Sequence, residues 1–165
     1  MTYSYYIAAG SNIHPRREYI NRAVSALTRH GRIAGESPLY RSAAYGVREQ
    51  AEFLNAVLEW HSDLPPLEAL ALLKRIEKET GRRESFRWGP REIDLDIIDY
   101  NGREWHDEQL TIPHADFENR LFVLYPLRDV APDYRNRRGQ TLTRLIENCS
   151  DRGEISLYTP EAYVP

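Results

Sequence analysis

Cysteine is nearly missing from this chain. Cys149 is the only one in 165 residues, so no intrachain disulfide can form, which fits a reducing cytoplasm. Lysine is almost as scarce: apart from Lys74 and Lys78, all 22 basic residues are arginines. That skew suits bidentate phosphate contacts, although biased genomic composition explains it equally well. No apolar run approaches the ~20 residues of a membrane span. Met1-Thr2-Tyr3-Ser4-Tyr5-Tyr6 lacks the basic and apolar segments of a secretory leader. A net charge of −3 leaves no general basic surface for nucleic acid. The phosphate-cradling pattern G-x-x-x-x-G-K-[ST] is absent, and so are G-x-S-x-G and a cysteine near a plausible base. The expectation is a cytoplasmic protein, neither membrane-bound nor nucleic-acid-binding, that holds any phosphate with side chains and metal.

What remains is ordinary globular composition, with 41% hydrophobic and 28% charged residues, enough for one domain over residues 1–165. Tyr3 to Ala9 reads as a strand ending at Gly10-Ser11-Asn12. Arg17 to Arg29 places Ile20, Ala23, Val24 and Leu27 at helical spacing. Ile33 to Ser42 and Phe53 to His61 read as the next two strands, the first irregular at Ser37-Pro38. The second puts Phe53, Asn55, Val57 and Glu59 on one face. Asp63 to Thr80 is a helix opened by Pro65-Pro66 and stopped by Gly81, with Leu67, Leu70, Leu73 and Ile76 as its stripe. Ile93 to Asp99 is the fourth strand, turning at Asn101-Gly102. An irregular return over Trp105 to Ile112 follows, then helices at Asp116 to Leu127 and Thr141 to Asn148. Pro126 and Pro132 act as punctuation, and a last strand covers Ile155 to Tyr158. The order βαββαβ predicts an α+β, ferredoxin-like sandwich with C-terminal additions.

The chemistry concentrates in Arg87-Trp88-Gly89-Pro90-Arg91-Glu92-Ile93-Asp94-Leu95-Asp96-Ile97-Ile98. In a strand, residues i and i+2 point the same way, so Asp94 and Asp96 project together, roughly 6–7 Å apart. Two such carboxylates repel unless a cation lies between them. The loop arginines Arg82, Arg83, Arg87 and Arg91 could supply it, leaving a solvated acidic pair. A hard divalent ion serves better if phosphate is present. Both readings stand on the residues alone. Trp88-Gly89-Pro90 favours a shaped loop, because Pro and Gly constrain the backbone and Trp offers a stacking surface. Asn55 faces inward, and a buried amide needs hydrogen-bond partners.

These residues resemble those of the 6-hydroxymethyl-7,8-dihydropterin pyrophosphokinase family. The likeness rests on Gly81-Arg82, Arg87 to Arg91 and Ile93 to Asp96, and extends through Tyr6-Ile7-Ala8-Ala9-Gly10-Ser11-Asn12, Tyr40-Arg41-Ser42 and Phe53-Leu54-Asn55-Ala56-Val57. It continues in Leu110-Thr111-Ile112-Pro113-His114, Asn119-Arg120, Phe122 and Tyr125-Pro126-Leu127. The resemblance implies a monomeric enzyme of folate synthesis that moves pyrophosphate from ATP to a reduced pterin. It implies that Asp94 and Asp96 hold two Mg²⁺ ions, and that Arg82 and Arg91 are catalytic. Ser42, Asn55, Trp88 and Phe122 would meet the pterin. Arg82, Trp88, Arg91, Thr111, His114 and Arg120 would meet ATP. Glu77 matches a position near the site, but its role stays open.

Three departures from the family pattern stand out. Ala43-Ala44-Tyr45 replaces a proline-rich segment, Glu84 stands where arginine is common, and Gln109 where a basic nucleotide contact is common. Two other functions compete. A ferredoxin-like sheet could bind single-stranded RNA, but a basic surface is lacking. A metal-dependent phosphohydrolase could use Asp94 and Asp96, but it has no need of Asn55 and Phe122.

Overall fold

The computed structural model describes residues 1–46 and 49–160, so the last five residues of the expected domain lie outside the described residues. Strand β1 (Tyr3–Ser11) alternates buried and half-buried positions, as a strand between two layers must. It leads into α1 (Arg16–Leu27), whose Ile20, Ala23 and Leu27 are buried at helical spacing. The expected strand over Ile33 to Ser42 divides into β2 (Arg32–Glu36) and β3 (Tyr40–Ser42), both antiparallel to β4 (Phe53–Ser62). The break follows from Ser37-Pro38: Pro38 has no N–H for the ladder, and the Ser37 hydroxyl accepts from the Val57 N–H at 2.9 Å.

Helix α2 (Pro66–Thr80) begins at a proline, whose missing N–H costs nothing there, and ends at Gly81 with φ 121°. Its buried stripe is Ala69, Leu72, Leu73 and Ile76, turned from the expected one: Leu67 and Leu70 are only half-buried. Strand β5 (Asp94–Tyr100) pairs with β1, giving the order β5-β1-β4 followed by β2 and β3. With α1 and α2 as crossovers this is the ferredoxin-like arrangement.

The additions after β5 are a small hairpin of β6 (Trp105–His106) and β7 (Thr111–Ile112), a 3-10 turn at Phe117–Asn119, α3 (Leu121–Val130), α4 (Leu142–Glu147) and β8 (Ile155–Leu157). The helix expected over Asp116 to Leu127 is thus in two pieces, because Arg120 takes an extended conformation (φ −126°, ψ 100°). Pro126 lies inside α3 instead of ending it. Asn101 and Gly102 both have positive φ, as a tight hairpin turn requires.

The two faces of the sheet are covered differently. On one, Tyr5, Ile7, Leu54, Leu58, Trp60 and Leu95 pack against α1 and α2. Each fully buried aliphatic side chain there contributes roughly 1.5–3 kcal/mol. On the other, Val57 and Ile98 meet Val123, Leu124 and Leu127 of α3 and Leu142 of α4. At the end of the sheet marked by Gly10, Asn55 and Asp94, the first turn of α3, with Phe122 and Val123, stands across a cleft from the strands.

Candidate active site

The cleft measures about 230 Å³. Its floor is the uncovered sheet, with Ala8 and Gly10 of β1, Asn55 of β4, and Asp94 and Asp96 of β5. Trp88, Gly89 and Arg91 from the loop between α2 and β5 form one side. Phe122, Arg120 and His114 form another, and Ser42, Ala43 and Tyr45 close the third.

The acidic end is built on β5. Asp94 lies opposite Gly10 and Asp96 opposite Ala8, so the two carboxylates share the cleft face, with Leu95 turned into the core. Arg82 Nη1 donates to Asp94 Oδ1 at 3.0 Å and to Glu77 Oε2 at 2.8 Å, while Arg91 Nη1 donates to Asp94 Oδ2 at 2.9 Å. Asp96 forms no ion pair among the described residues. Burial first, and the Asp94 charge second, push its carboxyl above the ordinary range, to about 7. A cation beside Asp96 would stabilise its charged form against both effects. No group of three or more His, Cys, Asp and Glu side chains forms a metal cage among the described residues. Two carboxylates with room for phosphate oxygens are nonetheless the donor set that Mg²⁺ accepts.

Glu77 is buried, and its side chain is a scaffold for this end. Besides holding Arg82, its Oε2 accepts the Leu95 N–H at 2.8 Å, and Lys74 Nζ lies 3.3 Å from its Oε1. Burial raises its pKa, against the opposing pull of Lys74, the Leu95 amide and Arg82.

The other end is aromatic with one buried amide. Asn55 Nδ2 donates to Ser42 Oγ at 2.8 Å, which orients the amide in the floor. Gly10 permits this: a Cβ there would stand 3.2 Å from Asn55 Oδ1 and 3.6 Å from the Phe53 ring. Phe53 and Phe122 line the same space. Trp88 has φ 65°, an uncommon conformation for a non-glycine residue, and carries its ring to within 5.6 Å of the Tyr45 ring, centroid to centroid.

Asn12, just after β1, ties the surrounding loops to the sheet. Its Oδ1 accepts the Arg91 N–H at 2.8 Å, and its Nδ2 donates to Gln50 Oε1 and to the Ala51 carbonyl, both at 3.2 Å. Gln50 Nε2 in turn donates to the Trp88 carbonyl. His114 is anchored by its own N–H to the Ile98 carbonyl at 2.9 Å. Its Nδ1 accepts the Asp116 N–H at 3.1 Å, so the neutral ring carries its proton on Nε2. Burial first, and Arg120 second, keep it neutral by lowering its pKa.

Ser42, Asn55, Trp88, Arg91, Asp94, Asp96, His114, Arg120 and Phe122, each singled out in the sequence, line this one cleft. Arg82 joins through Asp94. Thr111 does not line it; it is exposed on β7, 3.2 Å from His106 Nδ1. Glu84 and Gln109 are exposed as well. The sequence reading missed Asn12, Phe53 and Tyr45 as site residues. Phe53 carried a usable signal, sharing the alternation of Asn55. Asn12 and Tyr45 carried none, because their contacts are made across loops.

Fold and cleft together define a ferredoxin-like α+β protein with a carboxylate-and-arginine pole facing an aromatic pole. The family described as 7,8-dihydro-6-hydroxymethylpterin-pyrophosphokinase (HPPK) matches residues 6–132, and the chain belongs to that family. It is 41% identical over 150 residues to a Pseudomonas aeruginosa protein named 2-amino-4-hydroxy-6-hydroxymethyldihydropteridine pyrophosphokinase, covering 90% of this chain and 93% of the relative. A Haemophilus influenzae protein of the same name is 38% identical over 154 residues, covering 92% and 96%. Among solved structures, the Plasmodium falciparum HPPK-DHPS protein with pteroate superimposes with a TM-score of 0.72 at 16% identity. The match covers 90% of this chain and 42% of that one, and it establishes the shared fold.

Proposed function

We propose that this chain transfers the terminal diphosphoryl group of ATP to the hydroxyl of 6-hydroxymethyl-7,8-dihydropterin in folate synthesis. The new bond joins the pterin oxygen to the β-phosphorus, the hydroxyl proton is released to solvent, the bond from the β-phosphorus to the α-phosphate oxygen breaks, and AMP leaves. One observation carries the reading: a strand face bearing Asp94 and Asp96 opens into the same cleft as Asn55, Phe53 and Phe122. A phosphohydrolase would need only the first half of that arrangement.

Asp94 and Asp96 would hold Mg²⁺, with two ions expected; bound there, the metal neutralises phosphate charge. Arg82 and Arg91 are parked on Asp94 through Nη1, at the place where phosphate oxygens would compete for them, and a guanidinium can meet phosphate with two N–H groups at once. Glu77 and Asn12 aim them. His114 offers its Nε2 proton and Arg120 its guanidinium to the nucleotide. Thr111 and Trp88 remain expected nucleotide contacts, Thr111 from outside the cleft wall. Asn55, held by Ser42, reads the hydrogen-bonding edge of the pterin, and Phe53 and Phe122 pack on its faces. The whole chain acts as one domain and as a monomer in the cytoplasm.

The test is to incubate the chain with ATP, Mg²⁺ and the pterin and separate the products. AMP and a pterin diphosphate should form in equal amounts. ADP as the main nucleotide product would sink the reading.

A further inference from the structure

Tyr45 has no place in the core. It is 36% exposed, yet it lines the cleft. Its ring lies 5.6 Å from Trp88 and 6.1 Å from Phe122, centroid to centroid, and the Arg120 guanidinium lies 5.3 Å from its centre. The same guanidinium is 5.9 Å from Trp88 and 5.8 Å from Phe122, so three rings surround one cation. The Tyr45 hydroxyl reaches Asp116 Oδ2 at 3.4 Å, and Asp116 is itself bonded to Arg120 Nε at 3.3 Å. Gly46 has φ 87°, and a Cβ there would sit 3.1 Å from Trp88 Cγ. The turn that delivers Tyr45 therefore rests directly on the Trp88 ring. Ala43 and Ala44, before it, have no side chain long enough to cover anything.

On the reading that the aromatic pole holds a pterin, we infer that the Tyr45 side chain is a wall that raises affinity for that ligand. It is a third ring that closes the cleft mouth over the edge of a flat bicyclic ligand. The floor holds that ligand by Asn55, and Phe53 and Phe122 supply two apolar surfaces, but nothing else in residues 43–46 shields the mouth from water. A large, stiff ring with two rotatable bonds does so at low entropic cost. Its cation–π contact with Arg120 and its bond to Asp116 fix its position without tying it into the core.

The wall acts on the ligand ring, which changes little during transfer, so it should affect pterin binding more than turnover. Calorimetric titration of 6-hydroxymethyl-7,8-dihydropterin, with Mg²⁺ and a non-hydrolysable ATP analogue present, is compared with steady-state rates. Tyr45→Ala should raise the pterin Kd about tenfold, with kcat at saturation within about threefold of the parent. Tyr45→Phe should restore the affinity, because the ring and not the hydroxyl makes the wall. Circular dichroism confirms that each variant is folded. Equal or tighter binding by Tyr45→Ala would overturn the inference and mark the ring as a plug or a bystander. A fall in kcat at unchanged Kd would also overturn it, assigning Tyr45 to Arg120. Failure of the parent chain itself to bind the pterin would bring down the proposed function and this inference together. Failure confined to the Tyr45 variants would bring down this inference alone.

Discussion

Strand β5 carries aspartates in two opposite settings. Asp94 and Asp96 face the cleft, and Asp96 has no ion-pair partner among the described residues. Asp99, three residues on, is almost fully buried and saturated: Arg137 donates to it at 2.7 and 3.1 Å, the Tyr134 hydroxyl at 2.7 Å, and the Tyr100 N–H at 2.8 Å. All three carboxylates point to the same side of the sheet. A bulge between the pairs Ile7 with Ile97 and Tyr6 with Asp99 inserts one extra residue and brings Asp99 round. What separates the settings is the covering layer. Beneath the segment between α3 and α4, Asp99 is given partners by Tyr134 and Arg137 and becomes structure; in the cleft, Asp96 is left for a ligand. The site is where the fold stops completing itself.

Substitutions on β5 should split along that line. Asp94→Ala and Asp96→Ala should each lower Mg²⁺-dependent turnover by about a thousandfold or more, the several kcal/mol expected of a lost metal ligand. Their unfolding midpoints should stay near the parent value. Near-parental turnover in both would place the metal elsewhere.

Asp99→Ala should do the opposite. Losing one partner of a buried pair strands the other, and a cost of about 3 kcal/mol in urea unfolding is expected, with turnover per folded molecule retained. A stable but inactive Asp99→Ala would erase the contrast.

Within the cleft, the two poles should separate as well. Arg82→Ala and Arg91→Ala should lower kcat about a hundredfold with little change in pterin Kd. Asn55→Ala should weaken pterin binding by about 1–3 kcal/mol, the cost of a lost buried partner. Titrations and rates measured on the same preparations decide it, and the reverse pattern would exchange the assigned poles.

The smallest effect is a pH dependence on the saturated side. Burial first, then the Asp99 charge and hydrogen bond, raise the Tyr134 pKa above the usual tyrosine value of 10.0. Above pH 10 the unfolded chain therefore loses this proton while the folded chain keeps it. The folded state holds more protons, so stability falls as pH rises, by at most about 1.4 kcal/mol per pH unit for this group. Tyr40, raised to about 12 by burial and by its bond to Asp129, adds a loss between pH 10 and 12. Urea midpoints at pH 9 and 11 should show the decline, and Tyr134→Phe should make it shallower. An unchanged slope would mean the hydroxyl is not held as described.

Much of this was legible in the chain wherever a regular period met a layer. The alternation in β4 placed Asn55 with Phe53 and Val57, and the pair Asp94 and Asp96 declared their shared face. Asp99 was not legible, because counting by twos puts it on the opposite face, and the bulge that reverses this depends on pairing with β1. Ser37-Pro38 marked an irregularity without revealing that it divides a strand. Residues 116–127 looked like one helix because their apolar spacing survives the break at Arg120. The loop ties of Asn12 and the ring cluster around Arg120 join segments far apart in sequence, and no local pattern encodes them.

One feature of the sheet edge reaches beyond catalysis. Among the described residues, strand β5 has a strand neighbour on one side only, and an open backbone edge is a template on which other chains can add. The Glu77 carboxylate occupies the Leu95 N–H on that edge, and the His114 N–H occupies the Ile98 carbonyl. The side chain that aims Arg82 thus also covers a backbone donor on which an added strand would pair. Losing it would impair solubility together with activity.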